Sequence, residues 1–246
     1  MSCVGQTVKD QMAQSLTYDT LERLAVPRPV DRLDFIAHHC RGKHVLDIGC
    51  LDETALQKRD TQNWLHGRIS AVAENVIGID NSASIPPEGQ RTGPRSIIHQ
   101  GNGLDPVADM LVDDEIDQIV AGEFIEHIDQ PLAFFQNLKS RFPGRELILS
   151  TPNGGALANV LLGLIGREAQ HPDHVHVFTY KILNTLCVRA EFSDWEIIPY
   201  RFYATEMILQ SRGLKRFAAK AAERTIRIFE RFFPLLSFGY LIRARL

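Results

Sequence analysis

The sequence predicts an α/β fold: a doubly wound, mainly parallel seven-stranded sheet with helices on both faces. Three observations predict it. Short apolar runs alternate with longer segments of helical spacing, the pattern of strands joined by crossover helices. The first run, "HVLDIG" (44–49), ends in glycine and an abrupt polar break, as a strand does at a ligand-facing turn. The chain has 246 residues, 44% of them hydrophobic, which suits one α/β domain with a sizeable core.

Residues 1–42 read as a polar helical segment ahead of a single domain at 43–246. "PRPV" (27–30) breaks that segment before "DRLDFIAHHC" (31–40), whose Leu33, Phe35, Ile36 and Ala37 give it an apolar face, and "RGK" ends it. The seven strands are 44–49, 75–80, 96–100, 116–122, 146–152, 194–203 and 237–246. Residues 54–74 read as one helix or two short ones, with Trp64 and His66 as core and rim residues. "QPLAFFQNLKSRF" is a helix by its apolar spacing, and a long helix at 205–232 joins the last two strands.

Composition excludes several classes. A formal net charge of −3 argues against a general nucleic-acid binder. Cys3, Cys40, Cys50 and Cys187 show no CxxC spacing, so reduced thiols and a cytoplasmic location are expected. The N-terminal residues lack the apolar core of a signal peptide, and the longest apolar run, 156–166, is too short to span a bilayer.

In open α/β sheets a ligand sits beyond the carboxyl ends of the strands, where strand order reverses. Gly49 lets backbone approach a ligand there. Asp80 ends the second strand, placed to accept hydrogen bonds from two ribose hydroxyls; a plain N-cap is the alternative.

The order "VLDIGC … VIGID … QGNG … IVAGEFIEHI … LILSTPN" resembles the class I S-adenosylmethionine-dependent methyltransferases over residues 32–203. The resemblance implies a Rossmann-like domain binding S-adenosyl-L-methionine. Asp47, Gly49 and Cys50 would line the methionine moiety and Asp80 would hold the ribose. Asn102 and Gly103 would meet the adenine, and Ala121, Gly122 and Glu123 would form the floor. Leu51 and Glu53 stand where the family's later glycines are expected, which also argues against a dinucleotide dehydrogenase.

"GEFIEHIDQP" (122–131) places Glu123, Glu126 and His127 at i, i+3 and i+4, and "HPDHVHVFT" (171–179) adds His171, His174 and His176. His171 reads as an ordinary loop His-Pro. The combination resembles the small-RNA 2′-O-methyltransferases, which bind a divalent ion through two Glu and two His. It also resembles bacterial O-methyltransferases of the ubiquinone type and relatives acting on sugars and glycolipids, which need no metal. The metal set implied is Glu123, Glu126, His127 and His174, holding Mn²⁺ or Mg²⁺. The catalytic set is His127, Glu126, His174 and His176, one imidazole serving as base for an acceptor hydroxyl. Glu123 and Glu126 are expected to raise the pKa of His127. Pro152 and Asn153 would shape the acceptor pocket, and 154–166 reads either as an apolar lid or as a buried helix.

Segment 214–236 alternates apolar residues with Lys220, Arg224, Arg227 and Arg231. It could rest on anionic lipid, but a sheet-covering helix with a solvated basic face is the preferred reading. The expected function is S-adenosylmethionine-dependent O-methylation of a small molecule, sugar or lipid-linked glycan, with no stable nucleic-acid binding. The alternatives are a metal-dependent RNA 2′-O-methyltransferase and a catalytically silent binding module.

Overall fold

Runs of apolar residues on both faces of a strand require a sheet covered from two sides. The computed structural model, which describes residues 16–51, 58, 61–105 and 116–246, has one. Its strands are β1 (His44–Ile48), β2 (Asn75–Asp80), β3 (Gln90–Gly93), β4 (Ser96–Gln100), β5 (Gln118–Gly122), β6 (Glu146–Pro152), β7 (Asp194–Tyr200) and β8 (Gly239–Arg245). They lie in the order β3-β4-β2-β1-β5-β6-β8-β7. The five strands β4, β2, β1, β5 and β6 are parallel, while β3 and β8 run antiparallel to their neighbours. Strand order reverses at β1, where Ile48 pairs with Ile79 of β2 on one side and Ala121 of β5 on the other. The carboxyl ends of all three strands are thus level.

The helices are α1 (Arg32–His39), α2 (Leu65–Ser70), α3 (Pro131–Arg141), α4 (Leu157–Leu164), α5 (Tyr180–Arg189), α6 (Thr205–Gln210) and α7 (Gly213–Phe232). Local chemistry sets their starts. Asp31 caps α1 by accepting from the Asp34 N–H, Thr179 caps α5 through Ile182, and Pro131 opens α3. Alternation along the strands then feeds two cores. Leu46, Ile48, Ile119 and Ala121 face Phe134 and Phe135 of α3 and Leu183 of α5. Val45, Val120 and Ile148 face Ile36 of α1 and Ile69 of α2.

Among the described residues the sheet has eight strands rather than the seven expected. The extra one, β3, is an edge strand of sequence QRTG with no apolar alternation; its pairing with β4 creates it. Residues 16–31 are not the expected helix. They run as irregular chain and join the sheet through a bridge from Val30 to Tyr200. The expected helix at 205–232 is two, parted at Ser211 and Arg212, where Gly213 takes a φ of 55°. Within 54–74 the described helix is α2, and the remainder of that expectation falls partly outside the described residues. Cys40, Cys50 and Cys187 are buried free thiols, and Cys3 lies outside the described residues. Among the described residues no helix is long and apolar enough to cross a membrane.

Candidate active site

The turn after β1 is held by β2. Gly49, with φ 68°, donates its N–H to the Ile79 carbonyl at 2.8 Å. Asp80 accepts from the Leu51 N–H through Oδ2 and from the Ser82 N–H through Oδ1, both at 2.9 Å. Its carboxylate therefore organises the turns at the tips of β1 and β2 and stands at the point of strand reversal. The loop after β4 joins them through the Gly101 N–H and the Asp80 carbonyl at 2.9 Å. Asn102 is exposed there and its Oδ1 accepts from Leu104. Gly103 is buried against Ile48, and a Cβ on it would come within 2.7 Å of Ile48 Cγ2.

Between these glycines lies Phe124, which the sequence reading passed over. A Cβ at Gly49 would stand 2.7 Å from the Phe124 ring, and one at Gly103 3.0 Å from it. The aromatic ring is a floor between the ends of β1 and β4. The only signal for it was an aromatic residue set between the acids of "GEFIEH".

Three expected ligand contacts turn the other way. Asp47 shares a face of β1 with Val45, so its side chain points into the second core. It is 1% exposed and meets His66 Nδ1 at 2.8 Å. His66 Nε2 is held by Thr92 and Ser96 hydroxyls, which makes the pair a sealed polar cluster under α2. The Cys50 thiol lies in that cluster; burial first, then Asp47, push its pKa well above the thiol range. Gly122 backs onto α2, where a Cβ would meet Leu65 at 2.4 Å.

Glu123 follows β5 with φ 53°, a conformation held by its N–H bond to the Ser150 carbonyl at 2.8 Å. Its carboxylate accepts from the hydroxyls of Tyr200 and Tyr203, each at 2.8 Å, and faces Arg32 Nη1 at 3.5 Å. Arg32 also donates to Ser150 Oγ and lies over the Tyr203 ring. Burial opposes the charge on Glu123, but Arg32 and the two tyrosines outweigh it and hold the carboxyl below its usual range. Glu123 is thus a hub between α1, β5 and the end of β7, neither lining the ligand turn nor offering a free carboxylate to a metal. Arg32, Tyr200 and Tyr203 were not anticipated; "YRFY" read as continuing strand.

Glu126 sits in a single turn of 3-10 helix, Ile125–His127. Its carboxyl is buried, and neither oxygen meets a hydrogen-bond partner among the described residues. Burial, then the Glu123 charge, raise its pKa to about 8, so it holds a proton at neutral pH. Its carbonyl accepts from the N–H groups of Val175 and His176, which brings "HVH" alongside.

That pairing gathers His127, His171 and His174. One ring nitrogen from each lies within 4.8 Å of the others, and the His127 and His174 ring centres are 4.6 Å apart. Partial burial, then neighbouring imidazoles, lower the pKa of both His127 and His174. The net shift is opposite to the expected one: Glu123 still raises both values, but burial and the neighbouring imidazoles outweigh it, and Glu126 is protonated. His171 belongs to the cluster after all. The four-ligand set Glu123, Glu126, His127 and His174 does not assemble; the donors that meet are three imidazoles, which suit zinc-like ions better than Mg²⁺ or Mn²⁺. His176 turns away into a separate groove of about 460 Å³ between α3 and α5, its Nε2 3.3 Å from the Asp129 carbonyl. Asn153 is a structural pin: its amide donates to the Leu235 and Ser237 carbonyls at 3.0 and 2.8 Å. Helix α4, after it, buries none of its residues and is not the buried helix that was one reading of 154–166.

Comparison with known proteins adds a family. The family described as "Methyltransferase domain" matches residues 19–197. A protein of Mycolicibacterium smegmatis described as a probable S-adenosylmethionine-dependent methyltransferase is 30% identical over 120 residues. That match takes in 48% of this chain and 41% of the relative, so the chain spans about two fifths of it. Among solved structures, a methyltransferase from Archaeoglobus fulgidus superposes with a TM-score of 0.53 at 17% identity, covering 87% of this chain and 91% of that one. The small RNA methyltransferase HEN1 gives 0.54 at 16% identity, covering 92% and 27%. These two likenesses show the fold, a Rossmann-like methyltransferase sheet.

Proposed function

The chain belongs to the methyltransferase-domain family, and on that premise we propose that it methylates an oxygen of a small molecule, sugar or lipid-linked glycan with S-adenosylmethionine as donor. The observation that carries the oxygen reading is the cluster of His127 and His174, whose lowered pKa values keep imidazole neutral at pH 7. A hydroxyl acceptor must lose its proton, and neutral imidazole takes it.

S-adenosylmethionine supplies a methyl group already activated on a sulfonium, so the protein's task is positioning and proton removal. The residues present fit a nucleoside at the strand tips. Asp80 is the acid at the end of β2, Gly49 and Gly103 bring backbone close on either side of Phe124, and no Cβ could be added at either glycine without meeting that ring or Ile48. Asp80 would accept from the ribose hydroxyls, and Phe124 would support the donor from below. His127 or His174 would take the acceptor proton through a ring nitrogen. Glu126, neutral at pH 7, would add no negative charge where an alkoxide develops.

Labelled S-adenosylmethionine offered with a panel of hydroxylated acceptors tests this reading. Replacing both His127 and His174 by Asn should lower transfer about 10²–10⁴-fold, while S-adenosylhomocysteine affinity stays near that of the parent. Full turnover in the double variant would remove the base from the mechanism. A second reading, transfer to a ribose hydroxyl of RNA aided by a divalent ion, draws on the same three imidazoles as donors. Zinc titration calorimetry on the parent and on His171→Asn separates the two. Zinc binding lost in the variant, with activity sensitive to chelator, favours the metal; activity indifferent to chelator favours the base.

A further inference from the structure

Helix α7 does not cover the sheet. Of its 20 residues only Ala219 and Glu230 are buried. It is tied to the protein along one narrow side. The Glu230 carboxylate accepts from the Phe202 N–H through Oε2 at 2.9 Å and from the Phe238 N–H through Oε1 at 2.9 Å, and Arg227 Nε donates to the Phe202 carbonyl at 2.7 Å. At 100° per residue, Leu214, Phe217, Ala221, Ile228, Phe229 and Phe232 fall on one stripe turned away from those anchors. All six are exposed, with Leu214 at 82%, Phe217 at 70% and Phe232 at 71%.

Two further features extend this face. Helix α4 packs beside α7 and also shows apolar side chains to solvent, Val160, Leu161 and Leu164, with Ile165 just after it. Asn153, at the end of β6, pins the chain just after α7 and so places the surface at the ligand-bearing end of the sheet. Along one edge of the stripe runs positive charge. Arg28, Arg201, Lys220, Arg224, Arg227 and Arg231 line a cleft of about 410 Å³ in a chain whose net charge is −3. Glu223 also lines it and pairs with Arg227, so Lys220, Arg224 and Arg231 are the cations of α7 that the cleft presents.

We propose that α7 and α4 form a docking surface for an anionic lipid bilayer, with α7 lying in the plane of the interface. A second copy of the chain would match the apolar stripe, but the basic cluster on both copies would oppose it. A bilayer bearing anionic headgroups satisfies both features at once: the phenylalanines enter the acyl boundary and the arginines meet phosphate. At 1.5 Å per residue the stripe is about 30 Å long, so Leu214 and Phe232 enter the same interface. The inference stands apart from methyl transfer and holds whatever the acceptor is.

Vesicle co-sedimentation of the whole chain tests it. Phosphatidylglycerol–phosphatidylcholine vesicles should retain the protein at low salt, and phosphatidylcholine alone should retain it about tenfold less or weaker, the difference shrinking as salt rises. Phe217→Ser with Phe232→Ser should cut partition about a hundredfold with unchanged circular dichroism, since both side chains are already in water. Arg224→Glu with Arg231→Glu should abolish the preference for anionic vesicles. A chain carrying Phe232→Trp should show a blue-shifted emission component on adding anionic vesicles that the parent lacks. Equal retention by both vesicle types, no retention by either, or undiminished retention of the phenylalanine variant would overturn the proposal. So would a concentration-dependent dimer dispersed by the phenylalanine substitutions in a protein that ignores vesicles, which would assign the face to a second copy.

Discussion

Glu126 shows how one buried carboxyl makes a fold sensitive to pH. Its pKa is about 8 in the folded protein against an ordinary 4.5, so between those values the native state holds a proton that the unfolded chain has released. Stability from this group is therefore full below pH 4.5 and is lost as pH rises through 8. Glu126→Gln removes the titration while keeping the shape. The variant should gain on the parent with rising pH, by up to about 1.4 kcal/mol per unit and a few kcal/mol in all, and the two should run parallel below pH 4.5. Urea unfolding at several pH values measures it; a constant difference from pH 5 to 8 would show that Glu126 is ionised throughout. His127 and His174 give the second prediction. With both pKa values lowered below 6.5, the rate of methyl transfer should be flat near pH 7 and fall only on acidification beyond the ordinary imidazole value. An apparent pKa above 6.5 in kcat would mean that acids, not imidazoles and burial, dominate the cluster. At this scale the sequence made Gly49, Asp80 and the "EFIEH" group legible, because strand ends and acid–histidine spacing are local features. Asp47 was misjudged although strand alternation places it with Val45. His171 was hidden because, although His174 is its neighbour in sequence, the third imidazole, His127, comes from the other side of α4, a contact that no local spacing reveals.

Glu123 links three elements that lie far apart in sequence: α1 through Arg32, β5 through its own backbone, and the end of β7 through Tyr200 and Tyr203. A hydrogen bond to a charged acceptor contributes about 1.5–3 kcal/mol when its loss leaves the acceptor buried. Tyr203→Phe removes one donor and keeps the ring over which Arg32 lies. With the Glu123 side chain 26% exposed, water replaces part of the lost bond, so the cost in urea unfolding should lie at or below the lower end of that range. Arg32→Met should cost more, since it strands the Glu123 charge, and the double variant should cost less than the sum because both act on one carboxylate. Strict additivity would dissolve the hub into independent contacts. Elements with a strong apolar signal were legible: β2, β4 and β6 have the bounds read from the sequence. What stayed hidden owes its form to tertiary contacts. β3 exists through pairing with β4. The segment at 16–31 is drawn to β7 rather than coiled. The long helix parts at a glycine with positive φ, and its apolar face is turned outward, which composition alone cannot distinguish from one turned inward.

At the scale of the whole molecule, the proposed nucleoside site lies where β1, β2, β4 and β5 end, so any ligand there bridges strands that are neighbours in one sheet. Binding to the folded state alone raises stability by about 2.7 kcal/mol at a ligand concentration one hundred times its Kd. For a chain of 246 residues that corresponds to a rise of roughly 5–10 °C in Tm. Asp80→Ala separates two contributions. Without ligand it loses the bonds to the Leu51 and Ser82 N–H groups and should melt somewhat lower than the parent. With S-adenosylhomocysteine it should lose most of the ligand-induced rise as well, if Asp80 is the charged acceptor for two ribose hydroxyls that the proposed function assigns. The informative quantity is the difference between liganded and free Tm in each protein, from which the bare structural cost cancels. Asp80→Asn refines it, since the amide keeps an acceptor oxygen for one turn and should recover part of the unliganded Tm but little of the rise. A variant that melts lower yet keeps the full rise would make Asp80 a turn-closing residue alone, and the ribose would have to be held by other groups at the strand ends.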